Sequence, residues 1–290
     1  DTASQSAKRV KMFPPAANPA LCPSCLRPPC KAGDRLLLWS PIKPRSTADV
    51  KATLSQNNIQ SIYDVILHAW AVSTQETYGS SLLTFHIFCD GKGIPEAEHA
   101  PANPTIIAAF ISTLAGSYSG STVTNYVCGI KAWHTIHGLA WGISDSEIDA
   151  LLKAASSLAP IQSKRPLREP YTIDSLVTIR SQLNLVSPLH VAVFACLTMA
   201  FYATARTGEL TTKMLHSFDP LSHIKPTDVR VDQDRQGNKI TNLHLPKLKS
   251  APNGEDINWA RQEGLSDPHA ALENHMSVNA PPHDGPLFAY

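Results

Sequence analysis

The chain has 290 residues, 43% apolar and 17% charged, with a net charge of only +1. This length allows one large or two ordinary domains, and this composition excludes a disordered chain. The longest apolar stretch, around residues 191–205, is too short to cross a membrane, so no membrane partner is expected.

Residues 1–57 are rich in Pro, Ser and Ala, which predicts a largely irregular arm. Between residues 8 and 45, eight Lys and Arg stand against the single acid Asp34, a net charge of +7, whereas residues 46–290 carry −5. Such an arm is either a solvated tail or a segment that embraces nucleic acid or directs nuclear import. Cys22, Cys25 and Cys30 have the spacing C-x2-C-x4-C, only half of a zinc site, so we expect a flexible arm without metal or other cofactor.

Residues 58–158 predict a helical bundle, because four segments with helical periodicity are joined by short loops. The first opens on an apparent capping box, Ser73–Glu76, and stops at Gly91. The other three begin after Pro104, near Gly120 and after Ser144.

Residues 159–170 contain three prolines and three cations, which predicts an extended basic linker. Two helices follow, at about 172–183 and 188–203. The pattern then changes to the alternation of three short strands, at about 229–232, 240–245 and 256–259. The predicted fold class is mainly α: a helical bundle followed by an α+β domain over residues 171–290, with a small antiparallel sheet.

Arg206 directly follows a run, residues 191–202, that is apolar almost all round and therefore predicts a buried helix. A charge at the end of a buried helix is costly unless an anion meets it. Glu209, three residues further on, is one such anion, and a ligand phosphate is the other.

This order of helical domain, basic linker, arginine after an apolar helix and lysine in a hairpin resembles the tyrosine recombinase (phage integrase) family. The chain is most similar to recombinase-like chains of fungal mobile elements. The segment Arg206-Thr207-Gly208-Glu209-Leu210 matches the Arg-x-Gly-Glu-Leu part of the family's first arginine motif, but the preceding Gly-Leu is absent. Lys249-Ser250 fits the family's hairpin lysine better than Lys247-Leu248.

The resemblance implies a metal-free DNA strand exchange, in which a tyrosine attacks a phosphodiester and leaves a 3′-phosphotyrosine. Arg206 would bind the non-bridging phosphate oxygens with Glu209 orienting it, and Lys249 would protonate the leaving 5′-oxygen. The expected partner is double-stranded DNA in the nucleus, with self-association on DNA. Further phosphate contacts are expected from residues of the third helix and the linker: Lys131, His134, Lys164, Arg165 and Arg168.

Simpler interpretations stay open at this point. Arg206 and Glu209 can form a purely structural ion pair, and Lys249 can be a solvated charge of the hairpin. Lys131 and His134 can belong to an ordinary helix surface. The family's His/Lys-x-x-Arg motif and its nucleophilic tyrosine are not found, and Tyr290 is not assigned as that nucleophile. We therefore expect a recombinase portion that does not cleave DNA by itself. The alternative is a domesticated, non-catalytic DNA-binding or helical protein-interaction module.

Overall fold

The computed structural model describes residues 21–44, 55–164, 166–249 and 251–290. In these ranges it has ten α-helices and one three-stranded antiparallel sheet, which confirms the predicted mainly α fold with a small sheet. The chain divides into two compact units, Asp1–Pro166 (unit 1) and Leu167–Tyr290 (unit 2). None of the helices in the described ranges combines the length and apolarity that crossing a membrane requires.

Unit 1 is helical, and side chains cap most of its longer helices. Asn103, Ser119 and Ser144 each accept a hydrogen bond from a backbone N–H of the first turn that follows them. The predicted capping box at Ser73 is wrong, because that residue already lies inside a helix whose N-cap, Ala71, makes no side-chain bond. The helices are α1 (Arg35–Leu38), α2 (Gln56–Leu67), α3 (Val72–Gly91), α4 (Pro104–Leu114), α5 (Gly120–His137) and α6 (Asp145–Ser157).

The core of unit 1 forms where α3 and α5 cross closely. A Cβ atom on Gly129 would lie 2.7 Å from the Cβ atom of Ser81 and 2.9 Å from the carbonyl oxygen of Tyr78, so only glycine fits there. The close approach lets large side chains of α3, α4 and α5 interlock with full burial. These are Leu82, Phe85, Ile107, Phe110, Ile130 and Trp133.

The predicted arm differs from the structure where it is described. Residues 21–44 have little regular structure, but they pack against the helices of unit 1, so the prediction of a flexible arm is wrong for them. Leu36 and Trp39 are buried in the core, and the indole N–H of Trp133 donates to the Trp39 carbonyl at 2.6 Å. Arg27 makes a buried ion pair with Asp90 at 2.9 Å. Residues 1–20 and 45–54 lie outside the described residues.

Unit 2 packs helices against the sheet. The helices are α7 (Ile173–Ser181), α8 (Pro188–Tyr202), α9 (Thr207–Leu210) and α10 (Pro268–Asn279). The strands are β1 (Val229–Gln233), β2 (Lys239–Leu245) and β3 (Glu255–Ala260), ordered β1-β2-β3. Leu243 of the central strand lies opposite Val229 on one side and Ile257 on the other, and it is fully buried. The alternating apolar residues of β2, Leu243 and Leu245, therefore point into the core together with Met199 of α8.

The apolar run of α8 is buried on one face only. Val191, Ala195 and Met199 are almost completely buried, whereas Leu189 and Val193 remain more than two-fifths exposed. The expectation of a helix that is buried all round is therefore wrong.

Candidate functional site

Arg206 does not extend α8; it opens the next helix. Helix α8 ends at Tyr202, and Thr204 then adopts a left-handed conformation with φ of 53°, which turns the chain. Arg206 is the N-cap of the short helix α9, and its side chain is 75% exposed. The expectation of a buried arginine is wrong, because this reversal carries the residue out to the surface.

Glu209 holds Arg206 at two points. One carboxylate oxygen accepts from the Arg206 backbone N–H at 2.9 Å, and the other accepts from the guanidinium nitrogen Nη1, also at 2.9 Å. The Glu209 side chain is only 17% exposed, so the protein itself fixes its position. A carboxylate bound at both the backbone and the side chain restricts the direction in which the guanidinium points.

The arginine retains donors for a further anion. Among the described residues, Nε and Nη2 of Arg206 have no hydrogen-bond partner. An exposed arginine with one nitrogen anchored and two others available can donate two parallel hydrogen bonds to a phosphate. The ion pair with Glu209 and a phosphate contact are thus compatible, although the sequence presented them as alternatives.

Lys249 lies in the connection between β2 and β3, as the hairpin pattern predicted. Its side chain is exposed and makes no ion pair with any described residue. The preceding Leu248 is 8% exposed and packs in the core of unit 2, which anchors the loop, and its N–H donates to the Ala251 carbonyl within the same loop at 3.0 Å. Lys247, on the other side of Leu248, is also exposed. The fold therefore presents both lysines to solvent and does not itself favour one of them.

The two lysines differ in one electrostatic respect. The Ser222 hydroxyl and the Leu221 N–H donate to the Asp219 carboxylate at 2.7 Å and 3.0 Å, and these bonds together with the charge of Lys247 lower the pKa of Asp219. The positive charge of Lys247 therefore faces an ionised carboxylate. Lys249 has no such described neighbour and keeps its charge available for an outside anion.

One further arginine of unit 2 is already occupied. Arg230 on β1 is ion-paired with Asp232 and with Asp256 on β3, and His244 on β2 contacts the same Asp256 at 2.7 Å through Nδ1. The hydrogen bonds from His244 and Arg230 lower the pKa of Asp256. This cluster satisfies its own charges on the sheet surface, which agrees with the expectation that His244 is a strand-face residue.

The two candidates on α5 differ in exposure: Lys131 lies at the surface and His134 in the core. Lys131 is exposed at 49% and makes a surface ion pair of 3.3 Å with Asp145, a type of contact that a phosphate easily replaces. His134 is completely buried. Its Nδ1 bonds to the Ile130 carbonyl at 2.8 Å, and its Nε2 accepts the Ala102 N–H at 2.9 Å. Neither ring nitrogen is left for DNA, so the expectation that His134 contacts phosphate is corrected.

The linker candidates are exposed where they are described. Lys164 of unit 1 and Arg168 of unit 2 are exposed, and neither makes an ion pair with a described residue. Arg165 lies outside the described residues. The backbone is extended at Pro160 and Lys164, on either side of a short 3-10 turn at Ile161–Ser163.

A cavity of about 440 Å³ lies beside Glu209 in unit 2. Lys213 and His223 line it, and the sequence patterns pointed to neither of them. Lys213 lies three residues after Leu210, the last residue of the Arg206 motif. Its nearness to the motif in sequence is the one local signal for a place near Glu209. No Arg stands three residues after His223, so the sequence gives it no motif, and its place in the cavity depends on folding.

No protein-family model matches the chain, and no curated protein matches it. Within the described ranges, no group of three or more His, Cys, Asp or Glu side chains is placed to hold a metal ion.

Proposed function

We propose that this chain is the DNA-binding portion of a site-specific tyrosine recombinase, and that Arg206 binds a phosphate of double-stranded DNA. In the complete recombinase the reaction is strand cleavage and rejoining through a 3′-phosphotyrosine. The chain itself lacks the remaining motifs and is not expected to cleave DNA.

The observation that carries the proposal is the state of Arg206. The ion pair contributes little to stability, because the Arg206 side chain is 75% exposed while its carboxylate partner is 17% exposed. The arrangement directs a cation toward solvent rather than neutralising a charge inside the protein. A directed guanidinium with two available nitrogens is suited to the planar recognition of phosphate oxygens.

The other residues take roles that follow from their exposure. Lys249 is the proposed general acid for the leaving 5′-oxygen, because it stands on an anchored loop without a carboxylate partner. Lys131, Lys164 and Arg168 are proposed to contact the DNA backbone, where each contact adds affinity but no sequence preference.

A salt titration of duplex binding tests this function. Binding that depends on phosphate contacts weakens as salt rises, with a slope of about −0.9 in log K against log salt for each neutralised phosphate. We expect a slope of several units for the chain and a smaller one for Arg206→Ala. Binding that does not respond to salt would exclude phosphate contacts as its source.

The second candidate function is a non-catalytic protein-interaction module. A specific observation favours it: unit 1 carries a largely apolar cavity of about 490 Å³, lined by Phe88, Phe110, Tyr118 and Tyr126 among others. Replacing Phe88 by Ser discriminates the two functions. The change should leave duplex affinity and its salt slope intact if DNA is the partner of this chain, because it alters no cation.

A further inference from the structure

The cavity beside Glu209 has the size of a small-molecule site. Its volume of about 440 Å³ falls in the range of roughly 300–1,000 Å³ that is usual for ligand pockets. Glu209 lines the cavity, and its carboxylate also accepts from the Arg206 guanidinium. The residue that holds Arg206 is therefore shared between the cavity and the arginine.

The polar part of the lining suits an anionic group. Lys213 is exposed and has no ion-pair partner among the described residues. The Asp219 backbone N–H donates to Nδ1 of His223 at 3.0 Å, and the Asp219 carbonyl oxygen lies 3.1 Å from the same nitrogen. With Nδ1 accepting, the ring proton is on Nε2, which has no partner in the described parts of the chain, and His223 lines the cavity.

The apolar part of the lining suits a flat ring. The ring centroids of Phe218 and His223 are 5.8 Å apart and the rings are tilted by 32°, so two aromatic side chains lie together in the lining. Ile224 and Phe288 add apolar surface to the same cavity. Nucleobases stack on such aromatic surfaces irrespective of their sequence, because every base has a π-face.

We propose that this cavity binds one nucleotide of DNA, with its base against Phe218 and its phosphate at Lys213 and His223. The proposal rests on the function proposed above, since it places the nucleotide beside the phosphate that Arg206 holds. A base enters the cavity only after leaving the helix stack, at a cost of a few kcal/mol that the aromatic contact offsets in part. The cavity would therefore favour DNA positions where the duplex opens easily.

Binding of three small ligands to the full 290-residue chain tests the proposal: deoxyadenosine 5′-monophosphate, deoxyribose 5-phosphate and inorganic phosphate. Saturation-transfer NMR reports whether the adenine protons touch the protein, and titration gives the affinities. Stacking of one base predicts that the nucleotide binds at least about fivefold more tightly than the sugar phosphate. Phe218→Leu should remove most of that difference.

Two charge variants complete the design. Lys213→Ala should weaken all three ligands by about two- to fivefold, because it removes one exposed charge contact. Lys239→Ala is the matched control, since Lys239 is an exposed lysine of the same unit that does not line the cavity. It should leave all three affinities unchanged.

Each contrary result is informative. Equal binding of the nucleotide and the sugar phosphate overturns the base site and leaves an anion site only, and so does a Phe218→Leu variant with unaltered preference. Salt-dependent duplex binding without nucleotide binding overturns this inference and spares the proposed function. Nucleotide binding without duplex binding overturns the proposed function, and with it the assignment of the nucleotide to DNA.

Discussion

Replacing Arg206 by alanine separates a structural arginine from a phosphate ligand. The side chain is 75% exposed, and its ion pair with Glu209 at 2.9 Å spans three residues at the surface. Exposed pairs of this kind contribute about 0.2–1 kcal/mol to stability. The Arg206 backbone N–H still donates to Glu209 in the variant, so that half of the contact remains.

The expected loss in the free energy of unfolding is therefore below about 1 kcal/mol, which lowers the Tm by about 3–5 °C for a unit of this size. The expected loss in duplex affinity is larger. Hydrogen bonds to charged groups are worth about 1.5–3 kcal/mol, or roughly 10- to 150-fold in Kd. The slope of log K against log salt should also become shallower by about 0.9, the value for one lost phosphate contact.

Calorimetry and a gel-shift titration at several salt concentrations measure the two quantities on the same preparation. Arg235→Ala is the matched control, because Arg235 is an exposed arginine in the turn between β1 and β2 and makes no ion pair with a described residue. The reasoning is refuted if Arg206→Ala loses more than about 2 kcal/mol of stability while its DNA affinity and salt slope match those of the control.

Three further predictions concern both units. Lys249→Ala should change stability by less than about 0.5 kcal/mol but reduce the salt slope of duplex binding in the same titration; an unchanged slope would remove Lys249 from the interface. Gly129→Ala should cost about 1–3 kcal/mol in urea unfolding, because a Cβ there collides with Ser81 and Tyr78. Gly33→Ala is the control and should be nearly neutral, because its Cβ meets only a flexible side chain at 3.5 Å. Equal costs would contradict the close crossing of α3 and α5. Burial lowers the pKa of His86 well below 6.5, so the unfolded chain binds protons first as the pH falls. The free energy of unfolding is therefore full above about pH 6.5 and decreases below it. His86→Leu should flatten this pH dependence in unfolding measured from about pH 7 to 5, and an unaltered profile would assign the dependence to other groups.

The sequence predicted those elements whose signals are local. The helices that begin at Pro104, Gly120 and Asp145 were predicted because apolar periodicity and a polar cap coincide there, and the three strands because alternation and turn residues coincide. Helix α2 was missed although Ile59, Tyr63 and Ile66 have helical spacing, because its first residues continue an arm rich in Pro, Ser and Ala.

Helix α10 was missed for a different reason. It has few large apolar residues, so its periodicity is weak, and the informative signal was the Asp267 cap followed by Pro268 at the first helical position. The packing of residues 21–44 could not be predicted from local patterns at all. It depends on Arg27 meeting Asp90, a residue 63 positions away in the sequence.

The site shows the same division between local and distant information. The pairing of Arg206 with Glu209 was visible because three residues separate them. Its exposure was not, because exposure depends on the left-handed turn at Thr204, which a threonine rarely adopts. The burial of His134 was hidden likewise, since its partner Ala102 N–H comes from a different segment.

The exposure of Arg206 also changes what its contact with Glu209 means. A buried pair would explain the motif through stability alone, because breaking it leaves an uncompensated charge and costs about 3–5 kcal/mol. An exposed pair contributes too little to stability for that explanation. What Glu209 does provide is direction: its two oxygens hold the backbone and Nη1 of Arg206, and the remaining donors face outward. A fixed and outward-facing donor pair lowers the entropy lost when a phosphate binds. The contact therefore makes physical sense as preparation of Arg206 for an anionic ligand.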